Sequence, residues 1–247
     1  MPPIVWRLTH VATIDSTNAW VAERAREGAP EGTAALADYQ AAGRGRRDRR
    51  WEAPPHSALL LSVLLRPSDP PTAAAWAVAA VGLSARAALT RLCGLQPSLK
   101  WPNDLMVGDR KLGGVLAEYV TTPQPAIVVG IGLNLTACPD GVGATTVLAE
   151  AGVTLAPRAL TDIVLEELEA RAPLVDDPAG LARLRAEYAA GLATLGRAVR
   201  VVLEDGEFEG RAIDLDESGR LVVDVGGATR IVSAGDVVHL RSAEGGS

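Results

Sequence analysis

Only two of the 247 residues are cysteine, Cys93 and Cys138, and only three are histidine. Two isolated thiols supply neither a disulfide framework nor zinc-ligand spacing. A secretion signal is missing too: Met1-Pro2-Pro3-Ile4-Val5-Trp6-Arg7 has no basic segment leading into an apolar one. Nor is there a clear bilayer span. The greasy stretch Pro70–Ala85 is Ala-rich, short, and followed by Arg86, and the uncharged run from Tyr119 to Pro139 is broken by Pro123, Gln124, Pro125 and Asn134. No membrane partner is expected, and the expected location is cytoplasmic. Positive charge is not in excess, since 30 acidic residues face 24 lysines and arginines; a net charge of −6 argues against a general nucleic-acid binder. The standard nucleotide motifs are absent. No Gly-Lys-Ser/Thr follows a glycine loop, and Gly43-x-Gly45-x-x-Asp48 lacks the third glycine of a dinucleotide fingerprint.

What is present is a change of texture near Leu195. Before it, Asp15-Ser16-Thr17-Asn18 offers N-cap side chains to a short helix Ala19–Arg26 that stops at Gly28. Strands are expected at Ala34–Tyr39, Leu59–Leu65, Ser98–Trp101, Gly114–Tyr119 and Ala126–Leu133, with an Ala-rich helix over Thr72–Leu92. Pro157 suits a helix start, and Leu160, Ile163 or Val164, and Leu168 keep helical spacing; Leu181, Leu184, Tyr188, Leu192 and Leu195 keep it again. After Gly196 come short alternating strands, Arg197–Leu203, Phe208–Leu215, Leu221–Val225 and Ala228–Val232, separated by Gly-containing turns. The reading is an α/β (α+β) domain over 1–195 and a small β-barrel over 196–247.

Four segments carry chemistry. Gly43-Arg44-Gly45-Arg46-Arg47-Asp48-Arg49-Arg50-Trp51 packs five arginines into seven residues of an acidic protein. Such a cluster repels itself unless an anion or solvent relieves it, and guanidinium forks suit phosphate and carboxylate; a solvated basic loop or a nucleic-acid patch would look the same. Lys100-Trp101-Pro102-Asn103-Asp104 ends a strand at a proline and presents Asn103 and Asp104 at its mouth, where Asp104 could hold Mg²⁺ or a cation, or merely cap a turn. Lys111-Leu112-Gly113-Gly114 sets an ammonium beside open backbone, as a plain surface hairpin also would. Gly130-Ile131-Gly132-Leu133-Asn134 allows close approach, and Asn134 has the donor and acceptor that an adenine edge needs.

In this order and at these distances, the segments resemble the biotin–protein ligase family, from about Trp6 to Arg241. Asp15-Ser16-Thr17-Asn18, Gln40, and the tail His239-Leu240-Arg241-Ser242-Ala243-Glu244 extend the match. The resemblance implies a mixed-sheet catalytic domain of the class II synthetase type followed by an SH3-like barrel. It also implies the reaction: biotin and ATP, with Mg²⁺, form biotinyl-5′-AMP, and the biotin passes to a lysine of the biotin carboxyl carrier domain of a carboxylase. By the same resemblance Ser16, Thr17, Asn18, Gln40, Arg44, Gly45, Arg46 and Lys111 would bind biotin or its adenylate. Lys111 and Arg46 would be catalytic, Arg49, Trp51, Asn103, Asn134 and Arg241 would serve the nucleotide, and Asp104 would be the magnesium ligand.

Two positions depart from the family pattern: Asp48 stands where a further glycine is usual, and Lys-Leu-Gly-Gly replaces Lys-Leu-Ala-Gly. Asp48 is expected to stiffen the loop and to neutralise Arg49 or Arg50 in part. Some members carry an N-terminal helix-turn-helix; Ser16 lies too near the start for one here, so no DNA partner is expected. A homodimer is compatible with the resemblance. The rival readings are a lipoate or octanoate ligase, which shares the catalytic fold, and a regulatory nucleic-acid binder using the arginine loop.

Overall fold

A computed structural model describes residues 3–121, 123–139 and 143–240. Seven strands, β1 (Arg7–Ile14), β2 (Thr33–Gln40), β3 (Ala58–Leu65), β4 (Ser98–Lys100), β5 (Asp104–Val107), β6 (Arg110–Val120) and β7 (Ala126–Asn134), build one sheet. Their order is β1-β2-β3-β7-β6-β5-β4. Only β1 and β2 run parallel; the other neighbours are antiparallel, so the sheet is mixed. The parallel pair needs a crossover, and helix α1 (Thr17–Arg26) supplies it.

Strand parity separates the two faces of this sheet. On one face Leu59, Leu61, Val63 and Leu65 of β3 and Ile127, Val129, Ile131 and Leu133 of β7 enter the main core. Helix α2 (Pro70–Cys93) lies over them. Beyond the short α3 (Val147–Ala151), α4 (Pro157–Arg171) and α5 (Pro178–Gly191) pack on α2. By length and composition α2 is apolar enough to cross a membrane, yet 67% of its most apolar window is buried, as befits the central helix of a core. On the other face Leu64, Ala126 and Val128 pack under α1. One step along the strands that face loses its bulk, with Ser62 paired to Gly130 and Gly132 paired to Gly114. This hollow is where the candidate site lies.

The second sheet comprises β8 (Ala198–Val202), β9 (Glu207–Leu215), β10 (Leu221–Val225), β11 (Ala228–Val232) and β12 (Asp236–His239). Its order is β11-β10-β9-β8-β12, antiparallel throughout. Val199, Val201, Ala212, Leu215, Leu221, Val223 and Val237 fill its interior. Two tryptophans of the larger unit donate hydrogen bonds to its β9–β10 turn: Trp76 Nε1 to the Glu217 carbonyl at 2.9 Å and Trp101 Nε1 to the Gly219 carbonyl at 3.1 Å. Gly219 has a positive φ of 74°, and a Cβ there would lie 2.9 Å from that of Ala75. Only glycine lets this turn seat against α2.

Three strands escape the periodicity reading. β1 is an edge strand whose burial does not alternate, β5 is four residues long, and β12 follows immediately on a turn. α5 also stops sooner than its leucine spacing suggests. Leu192 leaves the helical region at ψ 105°, and the next residue, Ala193, donates its N–H to the Leu99 carbonyl at 2.8 Å. A backbone tie to β4 thus replaces a further helical turn.

Candidate active site

The floor of the hollow is a polar network set by the start of α1. Ser16 is the N-cap: its Oγ accepts the Ala19 N–H at 3.4 Å. That turn points Thr17 and Asn18 at the sheet. The Thr17 N–H donates to Gln40 Oε1 at 2.7 Å, and its hydroxyl reaches the same oxygen at 2.9 Å. Ser62, fully buried, lies 2.7 Å from Thr17 Oγ1 and donates to Asn18 Oδ1 at 2.6 Å. Asn18 Nδ2 donates to Glu118 Oε2 at 2.7 Å and approaches the Leu116 carbonyl at 3.4 Å. A Cβ on Gly130 would sit 2.1 Å from Asn18 Oδ1, so this position has to be glycine for the amide to fit. Asn18 is 4% exposed and bonded at both ends of its amide, which makes it a strut of the floor.

Over this floor hangs the arginine loop, a tight hairpin. The Gly45 N–H donates to the Arg49 carbonyl at 2.7 Å, and Arg44 bridges Arg50. Arg47 and Asp48 occupy its tip with φ of 53° and 58°. Positive φ at both central residues is the mark of a type I′ turn. Asp48 stands where the family has glycine, and aspartate is among the few side chains that tolerate this region. No ion pair joins Asp48 to Arg49 or Arg50 among the described contacts; the loop's arginines find other partners. Arg44 pairs with Glu118 at 3.0 Å. Arg46 donates to Asn103 Oδ1 at 3.3 Å and to the Gly235 carbonyl at 3.4 Å. Arg47 donates to the Val202 carbonyl, and both Arg47 and Arg49 pair with Asp236. Burial lowers the Arg46 pKa, and its like-charged neighbours Arg47 and Arg49 add to this against the pull of Asp236 and Asp104. The loop is therefore stitched to the barrel at β8 and β12.

Lys111 completes the cationic side. It is the second residue of β6, where a register shift between Leu105 and Met106 disturbs the pairing with β5. Its Nζ lies 2.6 Å from Asp104 Oδ1. Asn103 Nδ2 donates to the Val115 carbonyl at 2.8 Å. The Trp51 indole lies against Gly132, where a Cβ would come within 2.4 Å of the ring, and its Nε1 is buried without a partner among the described residues.

Ser16, Thr17, Asn18, Gln40, Arg44, Gly45, Arg46, Arg49, Trp51, Asn103, Asp104 and Lys111 thus line one cavity of about 370 Å³. Asn134 does not. It is buried at the end of β7, its Nδ2 donates to the Thr145 carbonyl at 3.1 Å, and its Oδ1 has no partner among the described residues. Arg241 lies outside the described residues. Three participants were missed in the sequence: Ser62, Glu118 and Asp236. Ser62 had a signal, being the one polar residue in Leu59–Leu65. Glu118 had one in sharing the strand parity of Gly114, and Asp236 had none. As for magnesium, no group of three His, Cys, Asp or Glu side chains is placed to hold a metal among the described residues. The cavity's two carboxylates, Asp104 and Asp236, are each engaged by a cation. These residues do not form a magnesium site of their own.

The chain is similar to known biotin ligases. The sequence matches the biotin/lipoate A/B protein ligase family over residues 11–134 and the biotin protein ligase C-terminal domain over residues 194–240. It is 42% identical to the biotin–[acetyl-CoA-carboxylase] ligase of Mycobacterium tuberculosis, covering 96% of this chain and 90% of the relative. It is 34% identical to the bifunctional ligase/repressor of Escherichia coli, covering 94% of this chain and 73% of that protein. The biotin protein ligase of Aquifex aeolicus, solved in complex with biotin and ATP, superimposes with a TM-score of 0.81 at 26% identity, covering 96% of this chain and 99% of the other.

Proposed function

This chain belongs to the biotin/lipoate A/B protein ligase family, and we propose on that premise that it activates biotin with ATP and transfers it to a lysine of a biotin carboxyl carrier domain. The observation that carries the reading is the make-up of the cavity. A floor of neutral polar groups, Ser16, Thr17 and Gln40, faces a wall of three cations, Arg44, Arg46 and Lys111. A ureido ring has two N–H donors and one carbonyl and suits such a floor; the dithiolane of lipoate offers it nothing to bond. The wall suits the place where a carboxylate must meet a triphosphate, since two anions approach only if positive charge is supplied.

In this reading the biotin carboxylate attacks the α-phosphorus, the bond to pyrophosphate breaks, and a mixed anhydride forms. Lys111 and Arg46 stabilise the charge that shifts onto the phosphoryl oxygens, with Asp104 holding the Lys111 ammonium in place. Trp51, Arg49 and Asn103 serve the nucleotide. Asn134 is assigned to the adenine, because its buried Oδ1 lacks a donor among the described residues, and Arg241 is assigned to the nucleotide as well. Magnesium belongs to this reading only as a companion of the triphosphate. The anhydride must be kept from water, which is the part given to the arginine loop. The carrier's amine then attacks the acyl carbon, and AMP leaves with the bonding pair. We assign 1–195 as the catalytic domain and 196–247 as the barrel that anchors the loop. The chain acts without a DNA or membrane partner in this reading, in the cytoplasm, and a homodimer is compatible with it.

The test is ATP-dependent incorporation of labelled biotin into a carrier domain, with biotin-dependent pyrophosphate release followed in parallel. Comparable release with lipoate would overturn the assignment of the polar floor, since a site built to pair polar groups rejects an analogue lacking them.

A further inference from the structure

Residues paired directly across neighbouring antiparallel strands face the same side of a sheet. One such row crosses the hollow from Gly132 on β7 through Gly114 on β6 and Asp104 on β5 to Lys100 on the edge strand β4. Lys100 thus stands on the site face, one strand beyond Asp104, whose carboxylate is taken by Lys111. It lines the cavity. Together with Val238 it also lines a second, open cleft of about 1,200 Å³ between β4, β5 and the barrel, so the two spaces meet at these side chains. Arg197, just ahead of β8, and Arg211 of β9 line the cleft from the barrel side, and both are exposed. Asp109 is the one carboxylate among the described residues that line it. An acidic protein therefore keeps a local surplus of positive charge here. His239 in the same cleft feels it: its pKa is lowered by burial first, and then by Lys100 and Arg197. Uncompensated cations at the back of a cavity attract an anion.

Which anion follows from the direction of the row. In displacement at phosphorus the attacking and leaving oxygens stand roughly in line. In the reading above, on which this inference rests, the ring of biotin lies on the polar floor and its carboxylate meets phosphorus at Lys111. The leaving oxygen then points away from the floor, toward Lys100, and the cleft lies beyond. We propose that this cleft is a subsite for released pyrophosphate, in which Lys100 takes the leaving group from the cavity and Arg197 and Arg211 hold it outside. As the bond from the α-phosphorus breaks, its electron pair passes to the pyrophosphate oxygen. Negative charge grows on the departing group, and cations placed along its path stabilise that charge. The exit runs along the barrel, so the arginine loop stays closed and the mixed anhydride stays covered while pyrophosphate departs.

The experiment titrates inorganic pyrophosphate by calorimetry into the full chain holding a non-hydrolysable biotinyl adenylate analogue. Binding is expected to weaken as salt rises. Arg197→Gln combined with Arg211→Gln is expected to weaken it roughly five- to tenfold, the scale of two partly screened contacts, with the melting temperature near wild type because both side chains are exposed. The KM for ATP should rise by clearly less. An unchanged affinity for pyrophosphate would overturn the proposal. So would an equal rise in the KM for ATP, which would give the cleft to the terminal phosphates of bound ATP. Orthophosphate binding as tightly as pyrophosphate at equal ionic strength would also overturn it, as unselective attraction. Should the double variant fail to fold, Arg197→Gln and Arg211→Gln serve singly, each expected to weaken binding roughly two- to threefold. If the wild-type chain released no pyrophosphate with biotin and ATP, the reading of the function would fall, and with it the exit role. If it did, and the variants bound pyrophosphate as the wild type does, only the subsite would fall.

Discussion

The ammonium of Lys111 lies 2.6 Å from the carboxylate of Asp104, on neighbouring strands of the sheet. The pair holds a compact charge, with three donors, at the place assigned to the reacting carboxylate and phosphate. Lys111→Ala is expected to lower the single-turnover rate of adenylate formation at least tenfold, about 1.4 kcal/mol of barrier. Transfer from preformed adenylate should suffer less, because the bridging charge matters most while negative charge shifts at phosphorus. Lys111→Arg should not restore the rate, since a planar fork cannot occupy the same point. Intact synthesis with collapsed transfer would move Lys111 to the second step.

Asp236 ties Arg47 and Arg49 to the barrel. In Asp236→Asn the tip of the loop loses its anchor, and tryptic cleavage within residues 43–50 of the ligand-free chain should quicken several-fold, roughly in line with the loss of 1 kcal/mol of local stability. Unchanged cleavage would show that the Gly235 and Val202 carbonyls alone hold the loop. This variant is a cleaner probe than removing the barrel, which would strip Trp76 and Trp101 of their buried acceptors.

Gly130 leaves the space that Asn18 fills, with 2.1 Å between a hypothetical Cβ and Oδ1. Gly130→Ala should cost about 1–3 kcal/mol, as overpacking does, and lower the melting temperature by several degrees, roughly 2–4 °C per kcal/mol at this size. The KM for biotin should rise as well, because the floor is displaced. A stable variant with an unaltered KM would mean that Asn18 has room to move without cost.

His239 gives a pH dependence. Burial, helped by the nearby charges of Lys100 and Arg197, lowers its pKa from 6.5 to about 4. The unfolded chain therefore takes up this proton first as pH falls, and the folded chain only later. The contribution to stability is whole above about pH 6.5, declines as pH falls, and is fully lost below about 4. His239→Gln should flatten that stretch of a plot of denaturation midpoint against pH. An unchanged slope would place the titration elsewhere.

Much of this is legible in the sequence. The cap at Ser16, the buried strand Ala58–Leu65 and the Leu160, Val164, Leu168 spacing of α4 follow from local rules, whereas β6 starts at Arg110, ahead of its expected Gly114, and α5 ends earlier than its leucine spacing suggests. The members of the cavity were legible as separate segments because each has an unusual local composition. What could not be read was long-range. Asp236 lies 187 residues from Arg49, and Glu118 lies 100 from Asn18. Such partners carry no local signature; only the register of β6 on β7 and the docking of the barrel bring them together. For the same reason Asp48 was expected to neutralise Arg49 or Arg50, whereas the backbone turns it away at a positive φ and Asp236 takes Arg49.

The placement of the tryptophans makes the molecule its own optical reporter. Of five indoles, Trp76 and Trp101 straddle the seam with the barrel, and Trp51 faces the cavity with an N–H that has no partner among the described residues. Emission from the first two should change when the β9–β10 turn lifts away from α2, and emission from Trp51 when a ligand gives that N–H an acceptor. Replacing Trp6, Trp20 and Trp51 with phenylalanine would leave a signal that reports the seam alone, and restoring Trp51 would add ligand entry, so that the two events could be timed by comparing two stopped-flow traces without any added dye.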